Sequence, residues 1–122
     1  RVRSSAASDV YKRQALIPAL VISGIPCERF SFEGFLPIKK GRKKRLEYLS
    51  EEKRTMVFYE SPHKISKTLN DLKVHFGDDR KVSVSKELTK IHESTIRGTL
   101  GTISLGKGKI RGEFVIVVEG LK

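Results

Sequence analysis

The run Phe58-Tyr59-Glu60-Ser61-Pro62-His63 places a phenol, a carboxylate, a hydroxyl and an imidazole within six positions, directly after an apolar stretch. In open α/β sheets, ligands settle beyond the carboxyl ends of strands, where the amides of a following helix offer positive potential. Residues of these types at such a place could hold a polar ligand or move a proton. A plainer reading serves the same residues: Ser61 caps a helix, Glu60 complements its dipole, and Tyr59 and His63 pack. A second group, Lys86-Glu87-Leu88-Thr89-Lys90-Ile91-His92-Glu93, alternates acids and bases with no apolar face. Such a loop is either solvated or folded around something polar. The third group is Lys39-Lys40-Gly41-Arg42-Lys43-Lys44-Arg45, six cations in seven residues. That density repels itself without a counter-anion, so contact with a phosphate backbone would explain it, and a merely soluble basic helix is the alternative. Lys107, Lys109 and Arg111 in GKGKIRG would extend the same surface.

Other chemistries lack their residues. GKGKIRG has neither the following helix nor the ending of a phosphate-binding glycine loop, and no GxSxG elbow is present. The single cysteine, Cys27, excludes an internal disulfide and fits a reducing cytoplasm. His63, His75 and His92 have no zinc-ligand spacing, so no metal is expected.

The elements that must position these groups are readable from periodicity. Ala15 to Gly24 (ALIPALVISG) reads as a short buried helix stopped by Gly24, with Pro26 beyond it. Arg29 to Phe35 alternates aromatic and polar residues like a half-buried strand. A basic helix is expected from about Lys39 to Ser50, with Leu46 and Leu49 as its apolar stripe. Thr55 to Tyr59 is a compact β-forming run, and Ser61-Pro62 reads as a helix start. Ile65, Leu69, Leu72 and Phe76 then recur at helical spacing before Gly77. Lys81 to Glu87 and Glu93 to Thr99 read as strands, and the apolar run Glu113 to Glu119 as a central strand covered on both faces. The sum is an α/β domain: a mixed sheet of about five strands with three to four helices.

With 122 residues, one domain fits the length. Twenty-five Lys and Arg against fourteen Asp and Glu leave a charge of +11, which attracts polyanions, nucleic acid first among them. No apolar run reaches the roughly 20 residues of a spanning helix, so no membrane partner is expected. Residues 1–14, RVRSSAASDVYKRQ, carry no apolar periodicity and read as a non-native or disordered leader, with 15–122 as the domain. A native arm that touches RNA is the alternative. Pro18 and Pro26 argue against a signal peptide.

In order along the chain, ALIPALVISGIPCERFSFEGFLP, KKGRKKRLEYL, RTMVFYESPHKISKTLNDL, VSVSKELTKIHESTIRGTL and GEFVIVVEG resemble the carboxy-terminal domain of the 16S rRNA cytidine 2′-O-methyltransferases. These form a branch of the tetrapyrrole methylase-like superfamily. The resemblance covers Ala15 to Gly120. It implies S-adenosylmethionine as cofactor, the ribose 2′-hydroxyl of a cytidine in 16S rRNA or the small ribosomal subunit as substrate, a cytoplasmic location and a homodimer. It also implies that a first domain completing the cofactor cleft is absent from this chain.

Carried onto this sequence, the resemblance places Ala15, Tyr59, Ser61, Gly112, Glu113, Phe114 and Val115 at the cofactor, the last four beside the adenine. Glu60 or Glu87 becomes the candidate base and Lys86 the partner of the developing alkoxide. The two carboxylates are expected to face one hollow. Lys39, Lys40, Arg42, Lys43, Lys44, Arg45, His63, Lys64, Lys90 and Arg97 are the expected RNA contacts. The family most often has arginine where Lys64 stands, and lysine lacks the bidentate fork. A non-catalytic basic RNA-binding domain accounts for the charge but gives no reason for the polar cluster at FYESPH. A methylase of small anionic tetrapyrroles would not require the basic run.

Overall fold

The computed structural model describes residues 19–87, 94–105 and 113–122. Five strands, β1 (Phe30–Gly34), β2 (Thr55–Glu60), β3 (Lys81–Glu87), β4 (Ser94–Thr99) and β5 (Glu113–Val118), form one mixed sheet in the order β1-β2-β5-β3-β4. Helix α1 (Arg42–Leu49) connects β1 to its parallel neighbour β2, and α2 (Ile65–Phe76) connects β2 to β3. Residues 19–22 form a further helical turn. Parallel neighbours need a crossover, which α1 supplies; all other pairings are antiparallel.

Strand pleating divides the core. Met56, Phe58, Phe114, Ile116, Val118, Val82 and Val84 pack beneath α1 and α2 against Leu46, Leu49, Ile65, Leu69, Leu72 and Phe76. Val57, Tyr59, Val115 and Val117 face the other way and are covered by Ala19, Leu20 and Ile25. β5 is therefore central and buried on both faces, as its uniform apolar run predicts. Burial of these side chains, about 1.5–3 kcal/mol each, is the main force holding the sheet to its helices.

Boundaries depart from the sequence reading at two places that matter for the site. α1 starts at Arg42, because Gly41 adopts a left-handed φ of 84° that a helix cannot continue through. α2 starts at Ile65, three residues after Pro62, and no side chain caps it. Ser61 instead opens a turn in which the Lys64 amide donates to the Ser61 carbonyl at 3.1 Å. The helix closes at Gly77 with φ 95° as expected.

Candidate functional site at one edge of the sheet

Strands β1, β2 and β3 run in one direction and β4 and β5 in the other. The carboxyl ends of the first three and the amino ends of the last two therefore share one edge of the sheet. The FYESPH junction, the Lys86-Glu87 strand end and Glu113 all arrive there. Glu60 and Lys86 are both register partners of Phe114, on its two sides. Two strand spacings, about 10 Å, separate their backbones. Glu87 pairs with Glu113, the alternate position of the ladder. Glu60, Phe114 and Lys86 thus form one row across three strands, while Glu87 takes the next register position; the expected hollow shared with Glu60 rests on a side chain outside the described residues.

Glu60 is 4% exposed and both its carboxylate oxygens are engaged. Oε1 accepts from the Ser61 amide at 2.8 Å and Oε2 from the Thr68 hydroxyl at 2.7 Å. The carboxylate thus holds the turn at Ser61 and ties it to α2 through Thr68, without capping the helix. Thr68 Oγ1 in turn accepts from Arg42 Nη2 at 3.0 Å. Arg42 also donates Nε to Asp71 at 3.0 Å and Nη1 to the Pro37 carbonyl at 3.0 Å. At 9% exposure it faces inward and is not an RNA-facing cation, which corrects the sequence expectation. A planar fork is the group able to serve three acceptors, two on α2 and one at Pro37, at once.

The remaining basic run divides. Arg45 Nη2 binds Glu33 Oε1 at 2.7 Å, while Lys39, Lys40, Lys43 and Lys44 are exposed with no ion pair among the described residues. His63 is exposed and Lys64 half-buried beside the FYESPH turn. Arg97 is exposed on β4, beside Gly24. Because β1 and β4 are opposite edge strands, about 19 Å apart, Arg97 cannot share a continuous patch with α1.

Of the expected cofactor residues, Tyr59 is buried and packs on the 19–25 side, Ser61 is half-buried, and Glu113 is exposed. Phe114 and Val115 are interior, paired with β2 on one side and β3 on the other. Their backbones are occupied by the sheet and cannot read an adenine edge. The β2 ladder ends at Phe114, so Glu113 keeps one backbone side without a strand neighbour. The described polar groups that reach this edge are Ser61, Glu113 and Lys86; Glu113 lies on the Tyr59 face of the pleat and Lys86 on the Glu60 face. Ala15, Lys90, Gly112, the Leu88–Glu93 loop and the GKGKIRG loop lie outside the described residues, as does the Glu87 side chain. Among the described residues no cluster of His, Cys, Asp and Glu could hold a metal ion, and no helix is long and apolar enough to cross a membrane.

Sequence reasoning missed Phe32 and Phe35. Both rings pack edge to face on Tyr59, with centroids 5.2 and 5.9 Å away, yet stay 49% and 52% exposed. Aromatic alternation in RFSFEGF signals a strand and carries no mark that its rings stay in solvent. A register shift between Phe32 and Gly34, with Gly34 at φ 64°, accompanies the arrival of Phe35 beside the same tyrosine.

A family model described as Tetrapyrrole (Corrin/Porphyrin) Methylases matches residues 15–104. Among curated proteins, the ribosomal RNA small subunit methyltransferase I of Xylella fastidiosa is 48% identical over 111 residues, covering 87% of this chain and 41% of the relative. Its Mycobacterium tuberculosis counterpart is 45% identical over 109 residues, covering 87% and 38%. The chain thus spans about two fifths of the length of the curated relatives it matches. Among solved structures, the methyltransferase CobJ superposes with a TM-score of 0.63 at 19% identity, over 86% of this chain and 47% of that one. The cobalt precorrin-4 methyltransferase CbiF gives 0.60 at 15% identity, over 95% and 58%. Motif order, sheet topology and these matches agree, and the chain belongs to the tetrapyrrole (corrin/porphyrin) methylase family.

Proposed function

We propose that this chain is the second-domain half of an S-adenosylmethionine-dependent methyltransferase acting on the ribose 2′-hydroxyl of a cytidine in 16S rRNA. The observation that carries the reading is that the FYESPH turn and the ends of β3 and β5 reach one edge of the sheet, with exposed lysines on and just before α1. Relatives at 43–48% identity named for rRNA methylation favour RNA over a tetrapyrrole substrate. S-adenosylmethionine, when bound, supplies a methyl group already activated by its sulfonium. The chain must then orient the ribose oxygen and manage one proton.

In this reading Lys86 stabilises the oxygen as it loses its proton, and Glu87 is the candidate base. Glu60, with both oxygens already accepting hydrogen bonds, holds the Ser61 turn in place. Lys39, Lys40, Lys43, Lys44, His63 and Lys64 contact the RNA backbone, with Lys90 as a further candidate. The location is the cytoplasm, where the small ribosomal subunit is found, and a homodimer is the proposed assembly.

The test joins this chain to the amino-terminal domain of the Xylella fastidiosa relative and measures two things: heat on titration with S-adenosylmethionine, and transfer of labelled methyl to small ribosomal subunits. Label in a cytidine ribose is expected, with Lys86→Ala reducing turnover more than cofactor affinity. A chimera that is folded by circular dichroism yet takes up neither cofactor nor label would sink the methylation reading and leave a basic RNA-binding domain.

A further inference from the structure

We propose that Phe32 and Phe35 form a stacking platform for an unpaired RNA nucleobase, a site that rests on the RNA-binding half of the function above and on none of its methyl-transfer half. Two phenylalanine rings about half in solvent form an apolar surface that a soluble chain ordinarily covers or uses. Neither ring is loose: both lean edge to face on Tyr59, itself 4% exposed, so they are held in place before any ligand arrives. Every base has a π-face, and single-stranded RNA is recognised by laying splayed bases on such rings while cations follow its phosphates.

Charge complementarity names the occupant. The Arg45–Glu33 ion pair, at 2.7 Å, fastens the basic helix to the residue next to Phe32. Lys39 and Lys40 follow Phe35 in the chain, only Leu36, Pro37 and Ile38 intervening. A polyanion with uncovered aromatic faces satisfies both features of this edge; a protein surface would have to bring its own acids to the lysines. Paired bases hide their faces, so the strand must be unpaired.

The chain contains no tryptophan, so Phe35→Trp introduces a lone fluorophore at the platform. Titration with a short single-stranded oligoribonucleotide should quench it, and an equal length of duplex should not. The Phe32→Ala, Phe35→Ala double variant should bind the single strand at least about tenfold more weakly, as the loss of one stacked base predicts, and an abasic oligomer unchanged. Replacing both rings by leucine keeps the apolar volume and should show the same loss, which separates stacking from folding. Single-stranded RNA bound without quenching, seen by anisotropy, overturns the platform and leaves RNA binding intact. Quenching by S-adenosylmethionine alone overturns it in favour of the cofactor. A dimer abolished by the alanine pair, with RNA affinity unchanged, overturns it in favour of a contact between copies. Absence of any RNA binding overturns the platform and the RNA-binding reading together.

Discussion

Arg42 and its neighbours Lys43 and Lys44 are alike in charge and opposite in fate. Arg42 binds Thr68 and Asp71 of α2 and the Pro37 carbonyl, so Arg42→Ala removes a donor from three acceptors, of which Asp71 keeps only Lys67 at 3.7 Å. The expected cost is about 2–3 kcal/mol in chemical denaturation, below the range for a wholly buried pair because Asp71 is partly solvated. Arg42→Lys should recover only part of it, since an ammonium cannot span the three acceptors. Lys43→Ala or Lys44→Ala should stay within about 0.5 kcal/mol, as exposed substitutions do. Equal effects at all three positions would remove the clamp from the account. Sequence could not separate these residues, because a run of cations has no internal mark of direction; what turns Arg42 inward is its place on the first turn of α1, opposite Thr68 and Asp71 of α2. The place of Glu60 at the end of β2 was legible, whereas its two hydrogen bonds depend on the turn before α2, which Ser61-Pro62 does not reveal.

Strand identity was legible almost throughout: β2, β3 and β5 fall within one residue of their apolar or alternating runs, since β-branched side chains and the period of two leave little choice. Strand order and parity were not, because they follow from long-range pairing, and parity is what puts Glu60 with Lys86. The connection from α1 to β2 is held by groups with no pattern in the sequence at all. Gly120 passes so near Lys53 that a Cβ there would lie 2.0 Å from its carbonyl oxygen, and the Leu121 amide donates to the Glu52 carbonyl at 2.8 Å. Within this turn the Glu52 carboxylate is lowered from 4.5 to about 2, first by its side-chain hydrogen bond from Arg54 and then by the Arg54 amide. A carboxylate with a depressed folded value binds fewer protons than in the unfolded chain, so its contribution is complete above about pH 4.5 and is lost as the pH falls toward 2. Glu52→Gln should lower stability modestly above about pH 4.5 and flatten the acid limb, the two proteins converging toward pH 2; an unaltered limb would show that the pair does not persist in solution.

A charge of +11 spread over 122 residues attracts polyanions but does not say which cations would touch one. The fold reduces the choice. Arg42 is internal, Arg45 is neutralised by Glu33, and Arg97 sits across the sheet, which leaves Lys39, Lys40, Lys43 and Lys44 as the exposed, unpaired cations of the basic run among the described residues. Each phosphate neutralised on a single strand contributes about 0.7 to the slope of log affinity against log salt. Replacing the four lysines by glutamine should therefore reduce the magnitude of that slope by up to about 3, with affinity at low salt falling more than affinity at high salt. Arg45→Gln should change it little, and the phenylalanine double variant should lower affinity at every salt concentration with the slope preserved, because stacking releases no counterions. An unchanged slope in the lysine variant would mean that the net positive charge attracts RNA through some other surface, and would separate the basic helix from the sheet edge where the chemistry is proposed.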